Sequence, residues 1–290
     1  MTAAGSAVAL PGRLVLLGHP VAHSLSPAFQ NAALRRARLP LVYEALDVPS
    51  AALPAMLGEL ARVHAAGNVT IPHKEAVAAR CVRLTPLARR VGAVNTFWHE
   101  GPDLVGENTD VGGVDEAVRA LLGGPPEGAR VALIGAGGSA AAVLAAAEGW
   151  GGARVAIWSR SHERSVALAA RFPAVAESPE FLAEAIRGAD LVVNATPIGL
   201  SGDEIPFPPA LLRRSAALLD LVYRRDGPTP WVRLGRAQGR RASDGLPMLI
   251  AQGALAFECW FGVSADRAAM WEAIAHVPGG GAPAGSDADG

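Results

Sequence analysis

Side chains able to do chemistry concentrate in four polar strings near the start of the chain: HSLSP at 23–27, NVTIPHK at 68–74, GAVNT at 92–96 and ENTD at 107–110. They set hydroxyls, amides, one ammonium and one carboxylate at the edges of apolar segments, a set suited to gripping a small polyhydroxylated acid. Ser24 and Ser26 stand near the start of an expected helix. Backbone N–H groups there favour an anion, and two hydroxyls can donate to one carboxylate without adding charge. Ser26 has a competing duty as the cap of that helix. Lys74 falls in the first turn of another helix at the end of a strand, the ligand-binding end of open α/β sheets, where an ammonium opposes the helix dipole. Such a local violation points to function. Asp110 is its natural charge partner, and the pair suits proton transfer to or from a secondary alcohol. His73 is the rival acid/base, although its place beside Lys74 directs it elsewhere on a helix. His23 has no carboxylate nearby to orient it and reads as a structural hydrogen-bonder. Asn68, Thr70 and Asn95 supply directional donors and acceptors, and burying such groups without partners costs roughly 1–3 kcal/mol apiece, so their clustering favours ring hydroxyls as partners. Thr96 and Thr109 serve equally well as ties between loops.

A glycine loop, GAGGS at 135–139, follows a Val/Leu/Ile strand and precedes an Ala-rich helix, the context in which such a loop binds a dinucleotide. Gly135 permits the tight turn, Gly137 or Gly138 lets backbone N–H groups approach a pyrophosphate, and residues 140–142 are small enough for the helix to sit close to a sheet. The next strand is expected to end at Ser159 and Arg160, where an NAD enzyme would carry a carboxylate for the ribose 2′-hydroxyl. None is present; Arg160 is followed one helical turn later by Arg164, and two guanidinium groups suit a 2′-phosphate. The nicotinamide is therefore expected to be NADP, the alternative being that Arg164 is a solvated helix residue paired with a nearby Glu.

These groups need a scaffold, and the chain is long enough for two lobes: 290 residues exceed the usual single domain. A hydrophobic content of 50% with 18% charged residues describes a compact globule, and a net charge of -1 offers no basic surface for nucleic acid or acidic lipid. The uncharged run 131–147 is Gly- and Ala-rich and too short for a comfortable membrane span. Cys81 and Cys259 lie in segments of helical pattern, outside any CxxC or Cys/His spacing. They read as inert core thiols, with no metal site and a reducing cytoplasm implied.

Strands at RLVLLG from Arg13 and LVYEALDV from Leu41, and one ending at NVT, alternate with helices opened by Ser26 and Pro27, around 51–64, and after Pro72. This predicts a mostly parallel sheet covered on both faces. Residues 130–240 repeat the alternation as a doubly wound, Rossmann-like unit, with a helix over 162–171. The expectation is an α/β fold of two domains: an open substrate lobe over 1–110 plus 246–277, and an NADP lobe over 111–245. The boundary falls near 110–113, and the apolar helix after Gly245 returns to the first lobe. The Gly/Pro/Asp-rich tail 278–290 is expected to be disordered.

With GHPVAHSLSPAFQN, GNVTIPHK, GAVNT, GENTD, GAGGS, NATPIG at 194–199, DLVY at 220–223 and GLPMLIAQGALAF from Gly245 all in order, the chain resembles the shikimate dehydrogenase family from Gly18 to about Gly262. The resemblance implies NADP-dependent interconversion of 3-dehydroshikimate and shikimate in chorismate and aromatic amino acid biosynthesis, by a monomer or homodimer. It implies that Ser24 and Ser26 hold the carboxylate, that Asn68, Thr70, Lys74, Asn95 and Asp110 surround the ring hydroxyls, and that Lys74 and Asp110 are the catalytic pair. Tyr223 and Gln252 would close the pocket from the cofactor side. Gly135, Ala136, Gly137, Gly138, Ser139 and Ala140 would hold the pyrophosphate, and Ser159, Arg160, Ser161 and Arg164 the adenosine end. Thr196, Val222, Gly245 and Met248 would lie along the nicotinamide path.

Two departures stand out. Ser159, Arg160 and Ser161 replace the family's usual Asn-Arg-Thr, keeping the Arg and a hydroxyl, and Arg224 and Arg225 replace the commoner Asn-Pro after Tyr223, which leaves the local loop shape open. Rival readings are an enzyme acting on quinate or an amino analogue on the same scaffold, and a non-catalytic ligand-sensing module, against which Lys74 and Asp110 argue.

Overall fold

The computed structural model describes residues 10–275, so the tail expected over 278–290 lies outside the described residues. The chain forms two six-stranded sheets. In the first, β1 (Leu14–Gly18) lies between β2 (Tyr43–Asp47) and β3 (Ala66–Val69), parallel to both. β1 is buried along its whole length, as a continuous Leu/Val run must be when helices cover both faces. The order continues through β5 (Thr96–Glu100) and β6 (Asp103–Glu107) to the short β4 (Arg83–Leu84).

β5 runs antiparallel to both β3 and β6. The sheet is thus mixed where a mostly parallel one was expected. The cause is a hairpin: Gly101 takes φ +61 at the turn and pairs Glu100 with Asp103 and Thr96 with Glu107. Its ends carry the GAVNT and ENTD strings, so the hairpin register sets Asn95 beside Asp110.

The second sheet has the order β12-β11-β10-β7-β8-β9, built from β7 (Arg130–Ile134), β8 (Arg154–Trp158), β9 (Ala174–Ala176), β10 (Leu191–Asn194), β11 (Ala217–Asp220) and β12 (Ala242–Ser243). Its paired strands are parallel. The order reverses between β7 and β10, and open sheets of this kind bind ligands in that crevice. β8 ends at Trp158, short of the expected Ser159 and Arg160, which belong to the following loop.

One face of the first sheet packs against α1 (Ser26–Arg36), and the other against α2 (Leu53–Arg62), α3 (Lys74–Ala78) and α4 (Pro86–Val91). A 3-10 turn, Ser50–Ala52, precedes α2. α5 (Asp110–Leu122), α6 (Gly138–Ala147) and α7 (His162–Ala169) cover one face of the second sheet, with α8 (Leu182–Gly188) and α9 (Pro230–Ala237) on the other. α10 (Leu246–Phe261) starts against the second sheet through Met248. It then returns to the first, where Ile250, Ala254, Phe257 and Phe261 share a core with Phe29 and α11 (Arg267–Ala275).

α10 lies directly on α5 because Gly113 has no side chain: a Cβ there would stand 2.9 Å from both the Gln252 Cβ and the Met248 carbonyl. That approach brings Gln252 to Asn95. The α1 cap differs from expectation. Leu25 is the N-cap with helical angles, Ser26 is the first helical residue, and it is the Ser24 hydroxyl that accepts the Ser26 N–H at 3.1 Å.

Candidate active site

The end of β3, the start of β5, the end of β6, the starts of α3 and α5 and the second turn of α10 converge around Asn95, a buried amide. Its Nδ2 faces the Asp110 carboxylate at 2.8 Å, the Thr109 hydroxyl at 2.9 Å and Gln252 Oε1 at 3.2 Å, while its Oδ1 accepts the Thr109 N–H at 2.7 Å. Lys74 Nζ donates to the other oxygen of Asp110 at 2.5 Å. Asp110 is 6% exposed and Lys74 16%, so the couple is shielded without being sealed from solvent. Asp110 occupies the first turn of α5, where the helix dipole favours its charge and offsets the unfavourable placement of Lys74. An ammonium held by a buried carboxylate can give up a proton and be restored in place.

Asn68 is also buried, and its amide is engaged with protein: Nδ2 donates to Thr96 Oγ1 and the Asn95 carbonyl, and Oδ1 accepts from the Tyr43 hydroxyl at 2.8 Å. Tyr43 belongs to β2 and was not singled out in the sequence. Its signal is weak, since a strand tyrosine usually fills core. Thr96 and Thr109 share a hydroxyl contact at 3.0 Å, which ties the hairpin to α5. Thr70 stands partly exposed at the end of β3, its carbonyl accepting the His73 N–H. His73 is buried with Nε2 against the Val48 carbonyl at 2.6 Å, a structural position away from Asp110. His23 differs from its expected structural bonding: it is exposed, and its ring has no hydrogen bond among the described residues.

Tyr223 lies against Ser24 and the backbone of Leu25. Burial holds its phenol above the ordinary tyrosine value, and hydrogen bonds from those neighbours partly offset the rise. Ser24, Ser26 and Tyr223 thus form one group, and Lys74, Asn95, Asp110 and Gln252 another.

The glycine loop sits opposite Lys74: a Cβ built on Gly138 would be 3.9 Å from the lysine Cδ and 3.8 Å from Ala93. Gly135 adopts φ +118, with the Ala195 carbonyl 2.9 Å from where a Cβ would be, so neither its angle nor its space admits a side chain. α6 begins at Gly138 and its Ala141 N–H bonds the Gly137 carbonyl. The N–H groups of Gly138, Ser139 and Ala140 therefore point outward without intrahelical partners, a seat for a pyrophosphate. Ala140, Ala141 and Ala142 are buried against the sheet. Beyond β8, Arg160 and Arg164 are exposed and in no ion pair among the described residues, so Arg164 is a solvated helix residue, as the alternative had it, but without the Glu partner. Ser161 caps α7 by accepting the Arg164 N–H, a duty not anticipated for it. Ser159 bonds the Ser161 carbonyl at 2.7 Å, shaping the same turn. These residues fit a dinucleotide with a phosphate at its adenosine end.

Thr196 follows β10 at the switch point and Val222 follows the neighbouring β11, and both join a buried polar network. Asn194 donates to Asp220 at 2.9 Å and accepts from Thr196, while Asp220 also accepts from the Thr229 hydroxyl at 2.7 Å and the Val222 N–H at 3.1 Å. Gly245 closes this layer by donating to the Val222 carbonyl. The sequence signal was present in NATPIG and DLVY, but the strand pairing that joins Asn194 to Asp220 was not. Burial pushes the Asp220 carboxyl up to about 6, with the three hydrogen bonds pulling it partly back. Its folded value is thus above the unfolded one, so the stability it contributes is fully present below about pH 4 and is lost as pH rises through 6. Asp220→Asn is expected to flatten that slope, gaining on the order of 1–3 kcal/mol at pH 7.5 relative to its effect at pH 4.5. Urea unfolding at the two pH values measures it; parallel profiles for variant and parent would remove the assignment.

Both thiols differ from the expected placement. Cys259 is exposed on α10, and Cys81 is partly exposed in the loop after α3. Desolvation nonetheless pushes each thiol up to about 11, which leaves them protonated and unreactive at neutral pH. No helix among the described residues is long and apolar enough to cross a membrane.

Known proteins bear on this geometry. Residues 16–97 match the shikimate dehydrogenase substrate binding domain, and residues 245–275 the shikimate 5'-dehydrogenase C-terminal domain. The shikimate dehydrogenase (NADP(+)) of Thermus thermophilus is 42% identical over 92% of this chain and 99% of its own length. That of Rubrobacter xylanophilus is 44% identical over 89% of this chain and 94% of its own. A crystal structure of the Thermus thermophilus enzyme in complex with NADP(H) and shikimate superposes with a TM-score of 0.83 at 42% identity, covering 91% of this chain and 98% of that one.

Proposed function

The chain belongs to the shikimate dehydrogenase family, and on that premise we propose that it catalyses the reversible NADPH-dependent reduction of 3-dehydroshikimate to shikimate, in chorismate and aromatic amino acid biosynthesis. The observation that carries this reading is the Lys74–Asp110 couple, 2.5 Å apart and facing the glycine loop. NADPH, when bound, supplies a hydride to the carbonyl carbon. Lys74 gives a proton to the oxygen that becomes the alcohol, Asp110 keeps the ammonium aimed, and Asn95 keeps Asp110 aimed. Ser24 and Ser26 receive the carboxylate, with Tyr223 beside them. Asn68, Thr70 and Gln252 bound the space for the ring hydroxyls, Asn68 chiefly by fixing the hairpin.

Gly135, Ala136, Gly137, Gly138, Ser139 and Ala140 hold the pyrophosphate, and Arg160 and Arg164 the 2′-phosphate. Ser159 and Ser161 shape that turn, while Thr196, Val222, Gly245 and Met248 line the nicotinamide path. In this reading 1–110 and 246–277 make the substrate lobe, 111–245 the NADP lobe, and the enzyme works in the cytoplasm as a monomer or homodimer. Initial rates with shikimate, quinate and aminoshikimate, each with NADP and NAD, test it. Shikimate with NADP is expected to have the highest kcat/KM. A higher value for quinate or aminoshikimate would move the assignment to that substrate, and no turnover of any pair would overturn it.

A further inference from the structure

Arg225 makes a contact that crosses from one sheet to the other and has no role in the chemistry above. It lies in the loop after β11, two residues beyond Tyr223, and its guanidinium reaches the turn between β1 and α1. Nε donates to the His23 carbonyl at 3.2 Å, and Nη2 to the carbonyls of Ser24 at 3.1 Å and Ala22 at 3.4 Å. Its neighbour Arg224 points away, onto Asp226 and the Gly202 carbonyl.

Two consequences follow from charge and shape. Three successive carbonyls turn their negative ends toward one point beside the Ser24 turn, which is a poor environment for an incoming anion. A planar guanidinium serves all three with donors fixed in one fork, whereas the three donors of an ammonium turn freely at the end of a flexible stem. Among the described residues Arg225 is in no ion pair, so its positive charge stays uncompensated there. The same bonds fix the backbone that carries Ser24, whose hydroxyl in turn accepts the Ser26 N–H.

We infer that Arg225 is a positioning residue for the substrate carboxylate: it clasps the 22–24 turn, aims Ser24 and Ser26, and makes their surroundings positive. This rests on the reading that those two serines receive the carboxylate, and it adds to that reading the residue that sets affinity for an anion.

Steady-state oxidation of shikimate and of its neutral methyl ester by the full-length parent, Arg225→Met, Arg225→Lys and Ser24→Ala tests it. Arg225→Met is expected to raise KM for shikimate roughly tenfold with kcat within about threefold, to leave KM for NADP unchanged, and to narrow the preference for acid over ester. Arg225→Lys, which keeps the charge without the fork, is expected to fall between Met and the parent. A shikimate KM in Arg225→Met within about twofold of the parent, or equal losses on acid and ester, would overturn the inference. If Ser24→Ala erodes the acid preference and Arg225→Met does not, the clasp fails while the carboxylate seat stands. If the parent itself treats acid and ester alike, the seat fails and the clasp with it.

Discussion

Replacing Lys74 by alanine is expected to lower turnover on the order of 10²-fold or more, with a smaller change in substrate KM, the range ascribed to a positioned general acid/base. The geometry makes the ammonium hard to replace. It is bound to the 6%-exposed Asp110 carboxylate at 2.5 Å, and the other side chain bonded to that carboxylate, Asn95, is neutral. Water can reach the vacated space but brings no comparable proton donor. Removal of a shielded partner also leaves Asp110 uncompensated, a change that costs stability on the order of 3–5 kcal/mol when a pair is fully buried. Lys74→Met, which keeps the volume, should therefore be run beside Lys74→Ala, with thermal unfolding and cofactor fluorescence as checks on the fold. Turnover within a few-fold of the parent in either folded variant would remove Lys74 from the chemistry.

The second large effect concerns the cofactor. Arg160, in the loop after β8, and Arg164, in α7, have side chains without a partner among the described residues, and β8 is followed by Ser159 and Arg160 where an NAD enzyme would carry a carboxylate for a free 2′-hydroxyl. Hydrogen bonds to charged groups are worth about 1.5–3 kcal/mol each, and exposure takes the expectation to the low end. The double variant Arg160→Ala/Arg164→Ala should lose about 10²-fold in kcat/KM with NADPH while staying within about threefold with NADH. Equal losses with the two cofactors would mean the arginines serve the fold of the turn. Comparable efficiency of the parent with both would show that the 2′-phosphate is not read.

The second sheet was the more legible of the two, for a physical reason. Its central strands are Val/Leu/Ile runs closed by glycine or polar residues, and the small residues of α6 had to pack closely. β9 and β12, with three and two residues, are too short to show any period. In the first sheet the hairpin of β5 and β6 was hidden because polar strings at its ends carry the chemistry, while its own signal was only Gly-Pro between two short alternations. The exchange of duties between Ser24 and Ser26 was beyond the reach of spacing, since it turns on Leu25 adopting helical angles. Lys74 and Asp110 could be paired from residue type and position alone, being opposite charges at two element ends. Arg225 could not: its partners lie about 200 residues away in the chain, and two adjacent arginines do not announce which one turns inward.

α5 carries a consequence for substitutions far from the site. Its first residue, Asp110, is tied to Asn95 and Lys74 beside one sheet, while Val114, Ala117 and Val118 farther along it belong to the core of the other. A rod anchored in this way couples the two sheets through one rigid element. A substitution in the second core that tilts α5 would carry the Asp110 carboxylate with it, out of reach of Lys74, without touching either residue.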